Sequence, residues 1–348
     1  MVHRVSASVV LMMLGLLSQA VLPSTFPSAS ISGRIVGEKG ASVPAVGLRV
    51  NASPAVAARS VSATAVDSVF RMTVPSGSYQ FTVSADRAPF VVATRVTVDG
   101  VTSPASTAVE LPDGAHEVVV FVAPREMPKP AFDRTLSSGA LMEEFKREKV
   151  FWRQFAVAEE IAGRHDASVL PSIVSWLDHE DRHLRGNAAF IFARLGDPRG
   201  FQVITDILSD RSDRPEAQGI AIAPSDGRYR VARQIASDRY YAAHLLGDLR
   251  DARAIPILVP LLKDNEVKSI VPWALGQIGD KSAIRPLVDA LDDESPSMRV
   301  FAIYALEELQ AREALPRLIS LLNDHQRANF GAQVSVADAA KAAIAKLQ

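Results

Sequence analysis

The chain has no cysteine. That removes disulfides, thiolate metal sites, catalytic thiols and a lipid-modified cysteine anchor together. It also lacks an excess of either charge: 38 Lys and Arg stand against 39 Asp and Glu, a formal net charge of −1 over 348 residues. Neither half hides a basic region behind an acidic one, since Ser30–Ala123 carries seven residues of each sign. A protein that coats nucleic acid would show a strong positive excess, so no nucleic-acid partner is expected. Past the first residues no apolar run reaches the ~20 residues of a membrane-spanning helix. No nucleophile-elbow, phosphate-loop or dinucleotide glycine motif is present. A Ser/His/Asp triad needs no fixed spacing, and no motif supports one. The reading is therefore no catalytic residue, no metal and no cofactor.

What is present is a repeat. Leu246-Gly247-Asp248-Leu249, Leu275-Gly276-Gln277-Ile278 and Leu306-Glu307-Glu308-Leu309 each lead into an apolar segment, ending at Leu262, Leu291 and Leu322. The offsets are 29 and 31 residues, and shifts of 54 and a further 31 bring Leu208 and then Leu177 into register. A period of this size marks a solenoid, whose units bury their apolar faces on one another. Each unit reads as two helices. Helix A has apolar residues at i, i+3 and i+7, as at Ile284, Leu287 and Leu291. An acidic turn follows, and helix B starts at Pro296 with Ser295 as its N-cap. Pro272, inside a helix B, should kink it. A long helix over Leu141–Gly163, with Phe145, Phe151, Trp152, Phe155 and Ile161 on its apolar face, reads as the capping unit.

The run from Leu291 to Leu309 resembles the short HEAT-like repeats of phycobilisome lyases. The resemblance covers about Phe151 to Leu347, some five units. It implies an α-solenoid with a concave binding face, and a ladder of turn Asp and helix-B basic residues between repeats. Asp178/Arg185 and Asp292/Arg299 match that ladder, Asp264/Lys268 is a shortened variant, and Arg239 keeps the basic position.

The N-terminal third differs. His3 and Arg4, the apolar run Val9–Leu17 and Ser18-Gln19-Ala20 read as a cleaved secretory signal over 1–20, so the chain is expected to be exported, periplasmic or secreted. Over 30–123 alternation replaces the helical period, in Ile31–Val36, Phe70–Val74 and Tyr79–Val83. Pro75-Ser76-Gly77-Ser78 reads as the turn of a hairpin. Ser32–Val36, Val43-Pro44 and Val74–Tyr79 resemble the carboxypeptidase-regulatory-like, transthyretin-like modules, which implies a β-sandwich. The fold class expected is thus a multidomain all-β plus all-α chain: sandwich 30–123, Pro-rich linker 124–139, solenoid 140–348.

Three features bear on function. An insertion between Leu208 and Ser237 carries Arg211, Arg214, Arg228, Tyr229, Arg230 and Arg233, and solenoid insertions map to one face. His179-Glu180-Asp181-Arg182-His183 matches the zinc-protease pattern H-E-x-x-H, but the repeat register puts His179 and Glu180 in the turn and His183 on the next helix, a solvated turn rather than a zinc site. Finally, Phe190, His244, Trp273 and Tyr304 share one helix-B position. Arg194, Asp248, Gln277 and Glu308 follow four residues on, and Tyr240 precedes His244 by four, so the stripe lies along one face. These nine residues are the candidate partner-binding surface, the alternative being that the rings pack across neighbouring repeats. The first expectation is a non-enzymatic exported scaffold that holds another protein on the concave face. The second is a binder of envelope glycans through the sandwich. The third, by analogy with phycobilin lyases, is an enzyme or lyase-like subunit.

Overall fold

The computed structural model describes residues 27–38, 41–56, 59–86, 89–125, 133, 135–212 and 231–348. The leader 1–20, most of the linker, Arg214, Arg228, Tyr229, Arg230 and the side chain of Arg233 lie outside the described residues. No described helix is long and apolar enough to cross a membrane.

The first part is a two-sheet β-sandwich. Its strands are β1 (Ser28–Gly37), β2 (Leu48–Pro54), β3 (Val61–Ala65), β4 (Val69–Pro75), β5 (Gly77–Ala85), β6 (Val91–Val98), β7 (Val101–Pro104), β8 (Val109–Leu111) and β9 (Gly114–Pro124). The sheets run β4-β1-β9-β6-β7 and β3-β2-β5-β8. Alternation puts every second side chain inside, so Ile31, Ile35, Phe70, Met72, Val74, Tyr79, Phe81 and Val83 are all buried. The expected hairpin is absent. β4 pairs with β1 in one sheet and β5 pairs with β2 in the other. Only Ser76 separates the two strands, fewer than the two-residue loop of the tightest common hairpin. The chain therefore turns a corner between sheets.

The second part is a helical solenoid. The expected long helix over Leu141–Gly163 is two helices, α1 (Ser138–Arg147) and α2 (Phe151–Gly163). Glu148 Oε1 accepts the Val150 amide at 2.8 Å, and Gln154 Nε2 donates to the Phe145 and Glu148 carbonyls at 3.0 and 3.2 Å. Side chains thus take backbone groups that a continuous helix would pair. Trp152, expected on the apolar face, is 54% exposed.

Five units follow. Their B helices are α3 (Arg182–Arg194), α5 (Val231–Leu249), α7 (Val271–Ile278), α9 (Pro296–Glu308) and α11 (Val336–Leu347). The A segments are a 3-10 helix over Ala167–Asp178, α4 (Pro198–Ser209), α6 (Ile255–Leu258), α8 (Ile284–Asp289) and α10 (Leu315–Ser320), the last three flanked by 3-10 turns. Pro171, Pro256, Pro260, Pro286 and Pro316 remove amides that longer α-helices would use. Pro272 does not kink a helix. α7 begins beside it, so Pro272 sits in the first turn, where its missing N–H has no partner to lose.

The period is written into the backbone. His165, Gly196, Arg250, Gly279 and Gln310 follow α2, α3, α5, α7 and α9 at φ between 52° and 87°. Each of Asp166, Asp197, Asp251 and Asp280 then accepts the amide two residues on and starts the next A segment. At the other end Asp210, Asp264, Asp293 and Asp324 do the same for the turn into helix B. Ser295, expected to cap α9, makes no side-chain cap bond, and Asp293 holds that turn instead.

The same carboxylates carry the ladder. Arg239, Lys268 and Arg299 reach Asp264, Asp293 and Asp324, each 25 residues on, at 2.7, 3.5 and 2.9 Å. The ladder residue is thus one position past the expected Asp178 and Asp292. Leu177 and Leu291 point into the core, so the residue after each points out. Asp292 is exposed and pairs with Arg317. Asp178 is exposed too, and Arg185 donates to the His179 carbonyl at 3.3 Å as Arg299 does to the Asp293 carbonyl at 2.6 Å.

The sandwich docks on the C-terminal end of the solenoid. The Asp86 carboxylate accepts the Ala332 amide at 2.9 and 3.1 Å, Thr64 Oγ1 donates to the Ala332 carbonyl, and Val46 joins the solenoid core. Burial raises the Asp86 carboxyl, against the opposing pull of the Ala332 amide and the Arg49 charge. Gly331 makes the approach possible: its φ is +46°, and a Cβ there would fall 1.9 Å from Asp86 Oδ1. Gly331→Ala should therefore undock the sandwich. Calorimetry of the variant should resolve two transitions where the parent chain shows one. An unchanged single transition would contradict this docking.

Candidate functional site

Stacking the B helices side by side lines their equivalent faces along one wall, and two hollows lie on it. The larger, about 630 Å³, is bordered by Tyr240 and His244 of α5, Trp273 and Gln277 of α7, and Tyr304, Glu307 and Glu308 of α9. Phe301, Phe330, Lys346 and Asp86 of the sandwich complete it. The smaller, about 280 Å³, is bordered by Glu159, Phe190, Arg194, Asp248 and Arg250. Tyr240, His244, Trp273, Gln277, Tyr304 and Glu308 border the larger hollow, and Phe190, Arg194 and Asp248 the smaller.

The rings of the shared helix-B position are not equivalent. Phe190 is buried, edge-on to Phe155 at 5.0 Å. Trp273 is half-buried and stacks on His244 at 4.2 Å and 27°. Tyr240 is 41% exposed. His244 Nδ1 lies 2.9 Å from Asp248 Oδ2. The Glu307 carboxylate is buried and takes Lys346 Nζ at 2.5 Å. The wall is thus aromatic, and its rim is acidic with one ammonium.

Asp86, Phe330 and Lys346 escape a reading of the sequence. Asp86 comes from the sandwich and Phe330 from the turn before α11, both outside the B helices, and Lys346 stands on α11, the last B helix, beyond the four units whose shared position was compared. A period can name residues on a shared face, but not those that fold over it.

The H-E-x-x-H stretch is not a solvated turn. Asp181 is the N-cap of α3 and accepts the His183 and Leu184 amides. His179 Nδ1 accepts the Asp181 amide at 3.0 Å, filling the role that an aspartate plays in the other units. His183 is buried between Phe151 and Tyr241, with Nδ1 3.2 Å from Asp238 Oδ1. Arg182 is buried as well and pairs with Asp210 at 2.6 Å and Asp238 at 3.4 Å. These groups are buried because Asp210 and Ser212 beyond α4, and Asp238 and Tyr241 of α5, pack against the start of α3. The two histidines therefore do not share a helix. Among the described residues no group of three His, Asp or Glu is placed to hold a metal ion.

Of the insertion, Arg211 is described. It pairs with Asp264 and Glu266, both at 2.8 Å, alongside Arg239. On the sandwich, Phe70, Tyr79 and Phe81 are buried and Arg95 lies over Phe121 at 4.5 Å. An open groove of about 1080 Å³ crosses the outer face of β1, β4 and β9, and no Phe, Tyr or Trp borders it.

Known proteins resemble the helical part. Residues 235–299 match the model for HEAT repeats, and residues 298–324 match that for the PBS lyase HEAT-like repeat. Bilin biosynthesis protein PecE of Mastigocladus laminosus is 35% identical over 96 residues, 27% of this chain and 36% of that protein. Phycocyanobilin lyase subunit alpha of Picosynechococcus is 36% identical over 95 residues, 24% of this chain and 35% of that one. PecE of Nostoc is 29% identical over 155 residues, 44% and 55% of the two chains. The matches thus span about a third to a half of these relatives. Their names overturn the expectation of a non-enzymatic scaffold, since they are proteins of bilin biosynthesis and a lyase subunit. The repeat period is blind to that difference, because stacking units looks the same whether the face they build binds or reacts. Residues 235–324 are thus similar to HEAT repeats, the last of them to the PBS lyase type, and they follow a β-sandwich.

Proposed function

We propose that this chain has a lyase-like role, with a planar conjugated ligand of the bilin class held in the 630 Å³ cleft and a protein partner on the concave face. The observation that carries the reading is the ring wall of Tyr240, His244, Trp273 and Tyr304 lining a cleft beside carboxylates. The volume falls in the ~300–1,000 Å³ range of ligand sites, which are typically apolar with a few placed polar groups. Flat rings stack on such a wall. Asp86, Glu307 and Glu308 offer acceptors for pyrrole N–H donors, and Lys346 offers an ammonium for a propionate. The relatives named above support the ligand class, and the word subunit in one of their names supports a protein partner.

The test is a titration of the full chain with phycocyanobilin, followed by its visible absorbance. A saturable spectral change is expected. It should weaken at least ~10-fold in Trp273→Ala, the loss of one stacked ring at ~1.4 kcal/mol or more. Binding by the parent chain and by Trp273→Ala with equal affinity would place the ligand elsewhere.

A further inference from the structure

We propose that His244 is a catalytic residue, the proton acceptor and donor of the cleft, and that Asp248 is its positioning residue. The proposal rests on the lyase-type reading above. The two residues are four apart on α5, so they share one face of the helix. His244 Nδ1 lies 2.9 Å from Asp248 Oδ2, and both atoms are buried with no aligned hydrogen bond to either. A carboxylate only accepts, so hydrogen on the imidazole nitrogen beside it is what the pair calls for. That hydrogen is assigned to Nδ1, which leaves the lone pair on Nε2. The plane of the ring is set by its stack on Trp273 at 4.2 Å, with Tyr241 6.2 Å away on its own helix. His244 borders the larger hollow and Asp248 the smaller, so the pair bridges them. A base oriented by a third group, at the wall of a ligand-sized cleft, is the arrangement that general acid–base catalysis needs.

The class of reaction is elimination or its reverse on a conjugated carbon skeleton. In elimination a C–H bond breaks and its proton goes to Nε2. The electron pair of that bond becomes the new C=C bond, and the leaving group departs with the electrons of its own bond and takes the proton from Nε2. In addition the nucleophile gives its proton to Nε2 as its lone pair closes the new bond, and the C=C pair takes that proton from Nε2. His244 ends each cycle as it began.

Two measurements on the full chain test this. The first needs no ligand. Long-range proton–nitrogen spectra identify His244 as the signal lost in His244→Gln, and should show it as the Nδ1–H tautomer. Asp248→Asn should change that signature while leaving the far-ultraviolet dichroism unchanged. A His244 found as the Nε2–H tautomer overturns the proposal. The second incubates the chain with phycocyanobilin in deuterated water and follows deuterium at its carbons by mass spectrometry. The parent chain should accelerate incorporation, and His244→Gln and Asp248→Asn should each lose ~100-fold. Binding without incorporation, or incorporation by His244→Gln at the parent rate, overturns the dyad. Absence of any binding refutes the bilin reading instead, and the tautomer then decides whether the dyad stands.

Discussion

Arg239→Ala should destabilise the chain by about 3–5 kcal/mol, the cost of removing one partner from a buried ion pair. Arg239 is 2% exposed and joins three pieces of chain. Its Nε donates to the Leu208 carbonyl at 2.8 Å, the end of α4, and its Nη2 reaches Asp264 of the next unit at 2.7 Å. Glu266 takes the remaining Nη1. Alanine would leave a carbonyl and a carboxylate facing a void. The effect should depend on pH. Burial alone would raise the Asp264 carboxyl, but bonds from Arg239 and the Glu266 amide, with the charges of Arg239 and Arg211, hold it below its ordinary 3.8. The folded value lies under the unfolded one, so this pairing stabilises above pH ~4 and is lost as the pH falls through the depressed folded value. Urea melts at neutral and acid pH should show the parent chain losing more stability on acidification than Arg239→Ala. Equal losses in the two chains would remove the ladder from the account.

Gly200→Ala should cost on the order of 3 kcal/mol, although alanine is the better helix former. The two effects oppose. Within a helix the exchange of Gly for Ala gains ~1 kcal/mol. At Gly200, however, a Cβ would fall 2.2 Å from the Ala189 carbonyl oxygen and from the Ala193 amide nitrogen. Both are backbone atoms of α3, so no side-chain rotation relieves the overlap, and α3 and α4 must move apart. Overpacking of a well-packed core costs ~1–3 kcal/mol, more when backbone must shift. The overlap should win. A thermal melt in which Gly200→Ala equals or exceeds the parent chain would show that the two helices are less tightly seated.

Much of the solenoid can be read directly from its residues. The offsets between Leu195, Leu249, Ile278 and Leu309 recur as the offsets between Gly196, Arg250, Gly279 and Gln310, where the backbone turns left-handed. This works because each unit solves one packing problem, so its apolar spacing, its turn and its cap recur together. The ladder's exact rung was less legible. Asp292 and Asp293 are both acidic, and only the direction in which the chain leaves Leu291 selects the second. His179 is harder still, because a ring nitrogen stands where the pattern has a carboxylate. In the sandwich, alternation identified the buried face of Phe70–Val74 and Tyr79–Val83 but not their sheets, since a face pattern says nothing about a strand's neighbours. The cleft divides along the same line. Its wall follows from the period, whereas Asp86 and Phe330 arrive through tertiary contacts that no local pattern encodes.

The central claim is that the concave cleft holds a bilin-class ligand. Its most direct test is the melting temperature of the full chain with and without phycocyanobilin. A ligand at 100 times its dissociation constant stabilises the folded state by about 2.7 kcal/mol. The account predicts an upward shift in the parent chain that is absent, at the same ligand concentration, from a Trp273→Ala, Tyr304→Ala double variant that is itself folded. A parent chain whose melting temperature is indifferent to phycocyanobilin at saturating concentration would contradict it.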